Sequence, residues 1–276
     1  MKKLSKKIKK SIMKRFAGKT GLQPFFEWLH EFAIAGMNFG GGDSVQNSGE
    51  KNVINFLFAR VGSAANPVVF DVGANTGSYA SEVTAVFGDK ARLYCFEPLK
   101  GAFAILTGAI AGRKNVLVYN FGFGEREGSV MLRSDSEASM LATAYPRKMD
   151  HLGVNLSHEE QVSIRRLDDF CNENKIRHID LLKIDVEGGE LGVLKGASSL
   201  IGSDAIDIIQ FEFGACNIAS RTFFQDFFCL LDPKYRIYRV LRDGFAPVDT
   251  YRETHEVFAT TNYMALSRKI QSKKGC

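Results

Sequence analysis

The chain consists of short apolar runs, rich in β-branched residues, that alternate with longer amphipathic stretches. Runs of this kind are typical of strands that are buried on both faces of a parallel sheet. Strands that alternate with helices predict a doubly wound α/β fold with helices on both faces of the sheet. The pattern predicts seven strands, at Val68–Val72, Arg92–Phe96, Val116–Asn120, Ile179–Asp185, Ile206–Phe213, Arg236–Leu241 and Val257–Leu266.

Two regions depart from this alternation. Within 125–162, Gly128–Arg133 predicts an extra strand, whereas Ser134–His158 is long, polar and unpatterned, and we interpret it as a lid over a bound molecule. At the N-terminus, Leu22–Phe39 predicts a helix that packs near the mouth of the site, and Gly40–Gly49 predicts a flexible loop. The predicted organisation is an extension over residues 1–50 and one catalytic domain over residues 51–270.

The first predicted strand runs into the turn DVGANTG, which begins at Asp71. The turn lacks the middle glycine of the Gly-x-Gly-x-x-Gly fingerprint, and that glycine lets a pyrophosphate approach the backbone. It also lacks the Gly-Lys-Ser/Thr ending of a phosphate-binding loop. Glu97, in Phe96-Glu97-Pro98, ends the next strand at a position where a carboxylate can bind both ribose hydroxyls. The expected ligand therefore has a ribose and no phosphate.

S-adenosylmethionine fits this description. Its carboxylate can bind the amides of the glycine turn and the helix start, while Asp71 lies near its ammonium group or braces the turn by accepting backbone amides. The residues expected to bind the cofactor at this end of the sheet are Asp71, Gly73, Ala74, Asn75, Thr76, Gly77, Glu97, Pro98 and Asp185.

A second motif, Ile179–Ala197, reads IDLLKIDVEGGELGVLKGA. It places two acids, Asp185 and Glu187, beside two glycines at the carboxyl end of a predicted strand, which favours chemistry over stability. Together with DVGANTG, FEP, VSIRRLDDF at 162–170 and IIQFEF, this motif resembles the FkbM-type methyltransferases, a branch of the class I S-adenosylmethionine-dependent enzymes. The likeness spans about residues 67–266.

The resemblance implies a Rossmann-like, seven-stranded, mostly parallel sheet with an antiparallel last strand. It also implies methyl transfer to oxygen, commonly to a hydroxyl of a sugar, glycan or secondary-metabolite acceptor. The class resemblance would further place Asn120 in contact with the adenine ring.

Asp185, Glu187 and Glu212 are the candidate catalytic residues, as base or as acceptor clamp, because each lies near the carboxyl end of a predicted central strand. Alternatives stay open: Glu187 as a cap of the following helix, Glu212 as the partner of a lysine or arginine beneath the sheet, and His151 or His158 as the base once the lid closes. Lys183 is assigned to structure. No metal site is predicted, since the spacing is not diagnostic, although Asp185 with Glu212 could supply hard oxygen ligands to a divalent cation.

The 276 residues are 45% hydrophobic, which suits a sizeable core. Five scattered cysteines without a Cys-x-x-Cys pair predict a reducing, cytoplasmic location, with Cys95 and Cys229 as core residues. The net charge of +5 comes from residues 1–19, which hold nine lysines and arginines and no acid, so the remainder gives no reason to expect nucleic acid binding. Leu4, Ile8, Ile12 and Phe16 would form an apolar stripe on this basic segment. Such a helix would lie on an anionic membrane surface or against an acidic partner, and the alternative is a solvated helix or frayed terminus whose stripe packs on its own domain.

Two other functional classes remain as alternatives to the methyltransferase. One is a dinucleotide-dependent oxidoreductase on the same kind of sheet, which the missing middle glycine disfavours. The other is a non-catalytic nucleotide- or cofactor-binding module that the basic N-terminus recruits to a membrane or an assembly.

Overall fold

The computed structural model describes residues 13–41 and 45–271. Within them, eleven strands form a sheet of eight and a sheet of three. The strands are β1 (Val68–Val72), β2 (Arg92–Phe96), β3 (Val116–Tyr119), β4 (Gly122–Phe123), β5 (Gly128–Ser134), β6 (His158–Arg165), β7 (Ile179–Ile184), β8 (Ile206–Phe213), β9 (Tyr235–Leu241), β10 (Gly244–Val248) and β11 (Thr261–Ser267).

The large sheet has the order β10-β9-β11-β8-β7-β1-β2-β3. Strands β3, β2, β1, β7 and β8 are parallel neighbours, and β11 lies antiparallel between β8 and β9. All seven predicted strands are present, and the α/β fold class with an antiparallel last strand is confirmed. The eighth strand, β10, pairs antiparallel with β9 at the sheet edge, and the sequence did not reveal it because Pro247 interrupts its pattern.

The α-helices lie on both faces of the large sheet and at its ends. They are α1 (Gln23–Gly36), α2 (Val45–Ser48), α3 (Glu50–Val61), α4 (Ser78–Phe87), α5 (Lys100–Ala109), α6 (Leu167–Glu173), α7 (Glu190–Gly196), α8 (Ser198–Gly202), α9 (Cys216–Ser220), α10 (Phe224–Leu231) and α11 (Arg268–Gln271).

Each face of the sheet has its own core because successive strand residues point to opposite faces. Phe70 and Leu182 belong to one buried cluster, whereas their neighbours Val69 and Leu181 belong to the other. The strand register aligns Val72 of β1 with Phe96 of β2 and with Ile184 of β7. The central strands therefore end at one edge, which is where open α/β sheets bind ligands.

The small sheet, β4-β6-β5, lies in the region that lacked a clear pattern. The extra strand predicted at Gly128–Arg133 is β5, and it pairs antiparallel with β6. Strand β6 was missed because its first half, His158-Glu159-Glu160-Gln161, is polar and largely solvent-facing. The predicted lid is the segment 134–158 that connects β5 to β6, and we call it the lid segment.

The N-terminal predictions need correction. Helix α1 forms as expected, but none of its residues is buried, and the nearest buried residue is Phe39. The predicted loop 40–49 contains α2, with Val45 and Ser48 buried. Helix α3 begins at Glu50, the last residue assigned to the extension.

Other expectations about exposure have mixed outcomes. Leu4, Ile8 and Ile12 lie outside the described residues, whereas Phe16 lies in a helical turn over 13–16 and is exposed. Cys95 is a core residue as predicted, but Cys229 is exposed because it lies on the outer side of α10. In the part of the chain that the structure describes, no helix is long and apolar enough to cross a membrane.

Candidate active site

The glycine turn after β1 passes against the end of β7. The backbone amides of Gly73 and Ala74 both donate to the Phe96 carbonyl oxygen at 3.0 Å, which fastens the turn to β2. Gly73 has a φ of +81°, and a Cβ placed on it would lie 1.7 Å from the Asp185 carbonyl oxygen. Only glycine fits at this contact. The turn then leads into α4, whose first turn has no side-chain cap.

Glu97, which follows β2, is buried and holds the turn from the other side. One of its carboxylate oxygens accepts the Asn75 amide and the other accepts the Leu99 amide, both at 2.8 Å. Burial raises the pKa of Glu97 to about 7, although the two backbone hydrogen bonds oppose the shift. Asn120 lies beside this bend and donates its side-chain amide to the carbonyl oxygens of Glu97 and Pro98, both at 2.9 Å.

Lys183, on β7, connects the glycine turn after β1 with Asp185 at the end of β7. Its ammonium nitrogen lies 3.3 Å from Asp71 Oδ1 and 3.4 Å from Asp185 Oδ2, and it donates to the Gly73 carbonyl oxygen at 3.2 Å. Burial lowers the pKa of Lys183, but the neighbouring carboxylates of Asp71 and Asp185 outweigh it and raise the pKa. The sequence carried a signal for this role, because a lysine in an otherwise apolar strand requires charged partners.

A tight turn after β7 presents Glu187. Glu187 has a left-handed φ of +52°, and Gly188 follows with a φ of +106°. The fully buried Glu190, at the start of α7, accepts the amides of Val186 and Gly188 at 3.0 Å each, which encloses Glu187 between two fixed residues. Glu190 therefore braces the turn, whereas Glu187 is left free to point away from the helix.

Asp185, Glu187 and Glu212 form the acid cluster. One carboxylate oxygen from each lies within 4.8 Å of the other two, and no hydrogen bond or ion pair of the Glu212 side chain is found among the described residues. Burial, followed by repulsion from Asp185, raises the pKa of Glu187 to about 8. Burial, followed by repulsion from Asp185 and Glu187, raises the pKa of Glu212 well above its usual value. Like charges held this close favour keeping a proton within the cluster. The three oxygens are also hard ligands of the type that a divalent cation binds.

The lid segment contacts both the glycine turn after β1 and the turn that presents Glu187. The Asn75 side-chain amide donates to the Ser139 carbonyl oxygen at 2.8 Å, and the Thr143 hydroxyl donates to the Glu187 carbonyl oxygen at 2.8 Å. Arg147 forms a 2.7 Å ion pair with Glu187. Glu187 is therefore paired with the lid and does not cap the following helix. A lone arginine in a polar loop gave the sequence analysis no sign of this contact.

The N-terminal region also supplies a residue to the site. Glu50, at the start of α3, accepts the Gln210 side-chain amide at 2.8 Å and the Ser48 hydroxyl at 3.0 Å. Gln210 in turn accepts the Tyr79 hydroxyl at 2.9 Å. Burial raises the pKa of Glu50. This network fixes the start of α3 against β8, and the sequence did not link Glu50 to the site because 160 residues separate it from Gln210.

A cavity of about 730 Å³ joins these parts. It is lined by six of the predicted cofactor residues, Gly73, Ala74, Asn75, Glu97, Pro98 and Asp185, and by all three predicted catalytic acids. The other cofactor candidates, Asp71, Thr76, Gly77 and Asn120, are not among its lining residues. Asp71 is fully buried and faces Lys183, so the structure places it behind the turn, where it accepts no backbone amide.

The histidines proposed as alternative bases lie elsewhere. His151 is exposed in a 3₁₀ turn, and neither it nor His158 lines the cavity. His158 begins β6, where its Nε2 lies 4.0 Å from a Glu160 carboxylate oxygen. No histidine is found among the described residues that line the cavity, so the proposed bases that remain there are the three carboxyl groups of the acid cluster.

The sheet order, with an antiparallel strand inserted between β8 and β9, and the cavity at its carboxyl edge are those of a class I methyltransferase fold. The sequence model of the FkbM methyltransferase domain matches residues 71–230, more than half of the chain. The chain belongs to the FkbM methyltransferase family.

Individual methyltransferases are similar to this chain over part of their length. The chain is 28% identical to the 2-O-methyltransferase NoeI of Sinorhizobium fredii over 145 residues, which cover 49% of this chain and 59% of NoeI. It is 27% identical to the hexuronic acid methyltransferase AglP of Haloferax volcanii, over 60% of this chain and 64% of AglP. The chain thus spans about three fifths of these relatives' length. A solved structure, methyltransferase FkbM from Methylobacillus flagellatus KT, is 18% identical with a TM-score of 0.45, covering 73% of this chain and 43% of that chain.

Proposed function

We propose that this protein is an S-adenosylmethionine-dependent O-methyltransferase that acts on a hydroxyl of a sugar, glycan or secondary-metabolite acceptor. The observation that carries the proposal is one continuous cavity, which runs from the glycine turn and Glu97 to the acid cluster beneath the lid segment. Its volume lies in the range that small-molecule sites occupy. Membership of the FkbM family and its similarity to a 2-O-methyltransferase, NoeI, and a hexuronic acid methyltransferase, AglP, support an oxygen acceptor on a sugar.

The residues at the glycine turn fit the cofactor. The amides of Gly73, Ala74 and Asn75 are already used within the protein, so the cofactor's carboxylate would bind the free amides of the uncapped first turn of α4. Each Glu97 oxygen accepts one backbone amide and retains a lone pair for a ribose hydroxyl. When bound, the cofactor supplies a methyl group attached to a positively charged sulfur.

At the other end of the cavity, the acid cluster would receive the proton of the acceptor hydroxyl. A general base must be within hydrogen-bonding reach of that proton and have a pKa near the working pH. Glu187 is the candidate, because its pKa is raised to about 8 and it lines the cavity that would hold the acceptor. Asp185 and Glu212 would orient the hydroxyl as acceptor clamps.

Calorimetric titration with S-adenosylhomocysteine tests the cofactor half. We expect the wild-type chain to bind, and Glu97→Gln to bind about tenfold more weakly because a charged hydrogen-bond acceptor is lost. The control is Glu127→Gln, which changes an exposed glutamate outside the cavity and should leave binding unchanged. Thermal unfolding of each variant separates loss of the ligand contact from loss of fold.

A transfer assay then separates the remaining alternatives. The chain is incubated with isotopically labelled cofactor and a panel of saccharides, and products are analysed by mass spectrometry for a gain of one methyl group. Failure of the wild type to bind either form of the cofactor contradicts the proposal, and binding of NADH instead would favour the oxidoreductase. Cofactor binding without transfer to any hydroxyl-bearing acceptor would favour the non-catalytic module.

A further inference from the structure

Helix α1 presents a continuous aromatic surface to solvent. Phe25, Trp28, Leu29 and Phe32 follow one another at helical spacing, so they share one side of the helix. Their exposed fractions are 53%, 58%, 40% and 65%. The Trp28 ring lies 6.1 Å from the Phe25 ring and 5.7 Å from the Phe32 ring, between centroids. We call these four residues the aromatic face.

The helix is attached to the domain at its carboxyl end. Asn38, just beyond it, donates its side-chain amide to the carbonyl oxygens of Ser48 and Val240 at 3.0 and 3.1 Å. The Gly40 amide donates to the Thr260 carbonyl oxygen at 2.8 Å, and both of these residues line the cavity. The helix that carries the aromatic face is therefore tethered to the domain at its carboxyl end, while the aromatic face itself is not packed into the core.

The segment that precedes this helix carries only positive charge. Residues 1–19 contain nine lysines and arginines and no acid, and the described members Lys14, Arg15 and Lys19 are all exposed. The two glutamates of α1, Glu27 and Glu31, lie away from the centre of the aromatic face, because each residue advances a helix by about 100°. An exposed apolar surface next to uncompensated positive charge marks an interaction site for an anionic partner.

We propose that the aromatic face and the adjacent basic residues bind the surface of an anionic lipid bilayer. Tryptophan and phenylalanine rings are favoured at the boundary between acyl chains and headgroups, and lysine and arginine are attracted to anionic headgroups. A second copy of the chain is disfavoured as the occupant, because it would bring the exposed Lys14, Arg15 and Lys19 of one copy against those of the other. This inference does not depend on the proposed methyl transfer.

Trp28 is the only tryptophan of the chain, so its fluorescence reports on this surface alone. The full-length protein is titrated with vesicles of phosphatidylcholine alone and with vesicles containing phosphatidylglycerol. We expect the emission to shift to shorter wavelength with the anionic vesicles, at lipid concentrations where neutral vesicles cause no shift. Raising the salt concentration to about 0.5 M should reverse much of the shift, since salt screens charges near the surface.

Matched variants separate the apolar contribution to vesicle binding from the electrostatic contribution. Phe25→Ala combined with Phe32→Ala keeps the reporter and should weaken vesicle binding about tenfold or more, through lost apolar contact. Lys14→Gln, Arg15→Gln and Lys19→Gln together should also weaken it, by a factor that shrinks at high salt. Ile105→Ala, at an equally exposed apolar position on α5, is the control and should bind as wild type does.

Each outcome decides the proposal. Absence of any shift with anionic vesicles overturns it, and equal binding to neutral vesicles overturns the assignment to anionic lipid. A short-wavelength emission that grows with protein concentration without vesicles, accompanied by a dimer mass in light scattering, would assign the aromatic face to a second copy instead. Circular dichroism of the variants verifies that they remain folded.

Discussion

At the Glu97 end of the cavity, main-chain amides provide most of the contacts, whereas at the Glu212 end side chains from distant parts of the chain face one another. The first end involves residues 71–99, where backbone amides donate to the Phe96 carbonyl oxygen and to the Glu97 carboxylate, and the side chains of Asn120 and Lys183 donate to backbone carbonyl oxygens. The second end brings together Glu50, Arg147, Glu187 and Glu212, which lie on separate elements.

This difference has an electrostatic consequence. Glu97 is a single carboxyl group held by two amides, while Asp185, Glu187 and Glu212 must share a small space with few cations. A binding end built on backbone geometry suits a constant ligand such as a cofactor, because its shape does not depend on side-chain identity. An end built on side chains can change its acceptor and its proton affinity by substitution alone.

The largest expected effect concerns the Glu97 end. Gly73→Ala should destabilise the fold by at least about 3 kcal/mol, because its Cβ would collide with the Asp185 carbonyl oxygen. Gly112→Ala is the control, since Gly112 has a nearly identical φ of +85° with nothing within 4 Å of the added carbon, and it should cost only about 1 kcal/mol. Urea unfolding measures both. Equal losses would mean that backbone strain and not the close contact accounts for the glycine.

The next effect tests the chemistry of the acid cluster. Glu187→Gln should lower kcat about a hundredfold, which is a typical contribution of a general base, while binding of S-adenosylhomocysteine stays within about twofold. Below pH 8 the wild-type Glu187 carboxyl group is largely protonated, so the wild-type rate should rise as the pH rises through about 8. The variant should lose that rise.

A pH profile of kcat/KM for both proteins and for Glu127→Gln checks this prediction. If the rise persists in Glu187→Gln, another group of the acid cluster is the base. A loss of cofactor affinity as large as the loss of rate would contradict the separation of the two ends.

The smallest effect concerns the lid segment. Arg147→Ala removes the charge that lowers the pKa of Glu187, so the rising limb of the pH profile should move to higher pH, and the KM for the acceptor should rise about tenfold. Arg133→Ala, which breaks the exposed ion pair with Glu159 in the adjoining strand, is the control and should change neither quantity. A shift of the limb to lower pH would contradict the role assigned to Arg147.

Much of the fold and one half of the site could be predicted from the sequence, because both depend on local patterns. Buried parallel strands need continuous apolar runs, so β1, β2 and β8 have the predicted bounds. The glycine turn and Glu97 follow β1 and β2 directly, and parallel strands that end at one edge bring them together without further information.

Exposed elements and long-range contacts could not be predicted in this way. Strand β6 is half polar, and α1 has the composition of a packed helix although no residue of it is buried, because composition does not state which surface a helix meets. Arg147 and Glu50 line the cavity only because the lid segment and α3 pack against the large sheet. Asp71 and Lys183 form an ion pair only because β1 and β7 are neighbouring strands.

The sequence by itself therefore determined the positions of the central strands, the glycine turn and the identity of the candidate acids, since these are properties of single segments. The tertiary structure alone decided which acids share one space, which cations neutralise them and which apolar side chains stay in water. The physical reason is that the ionisation of a carboxyl group and the exposure of a ring depend on distances between segments, which no single segment encodes.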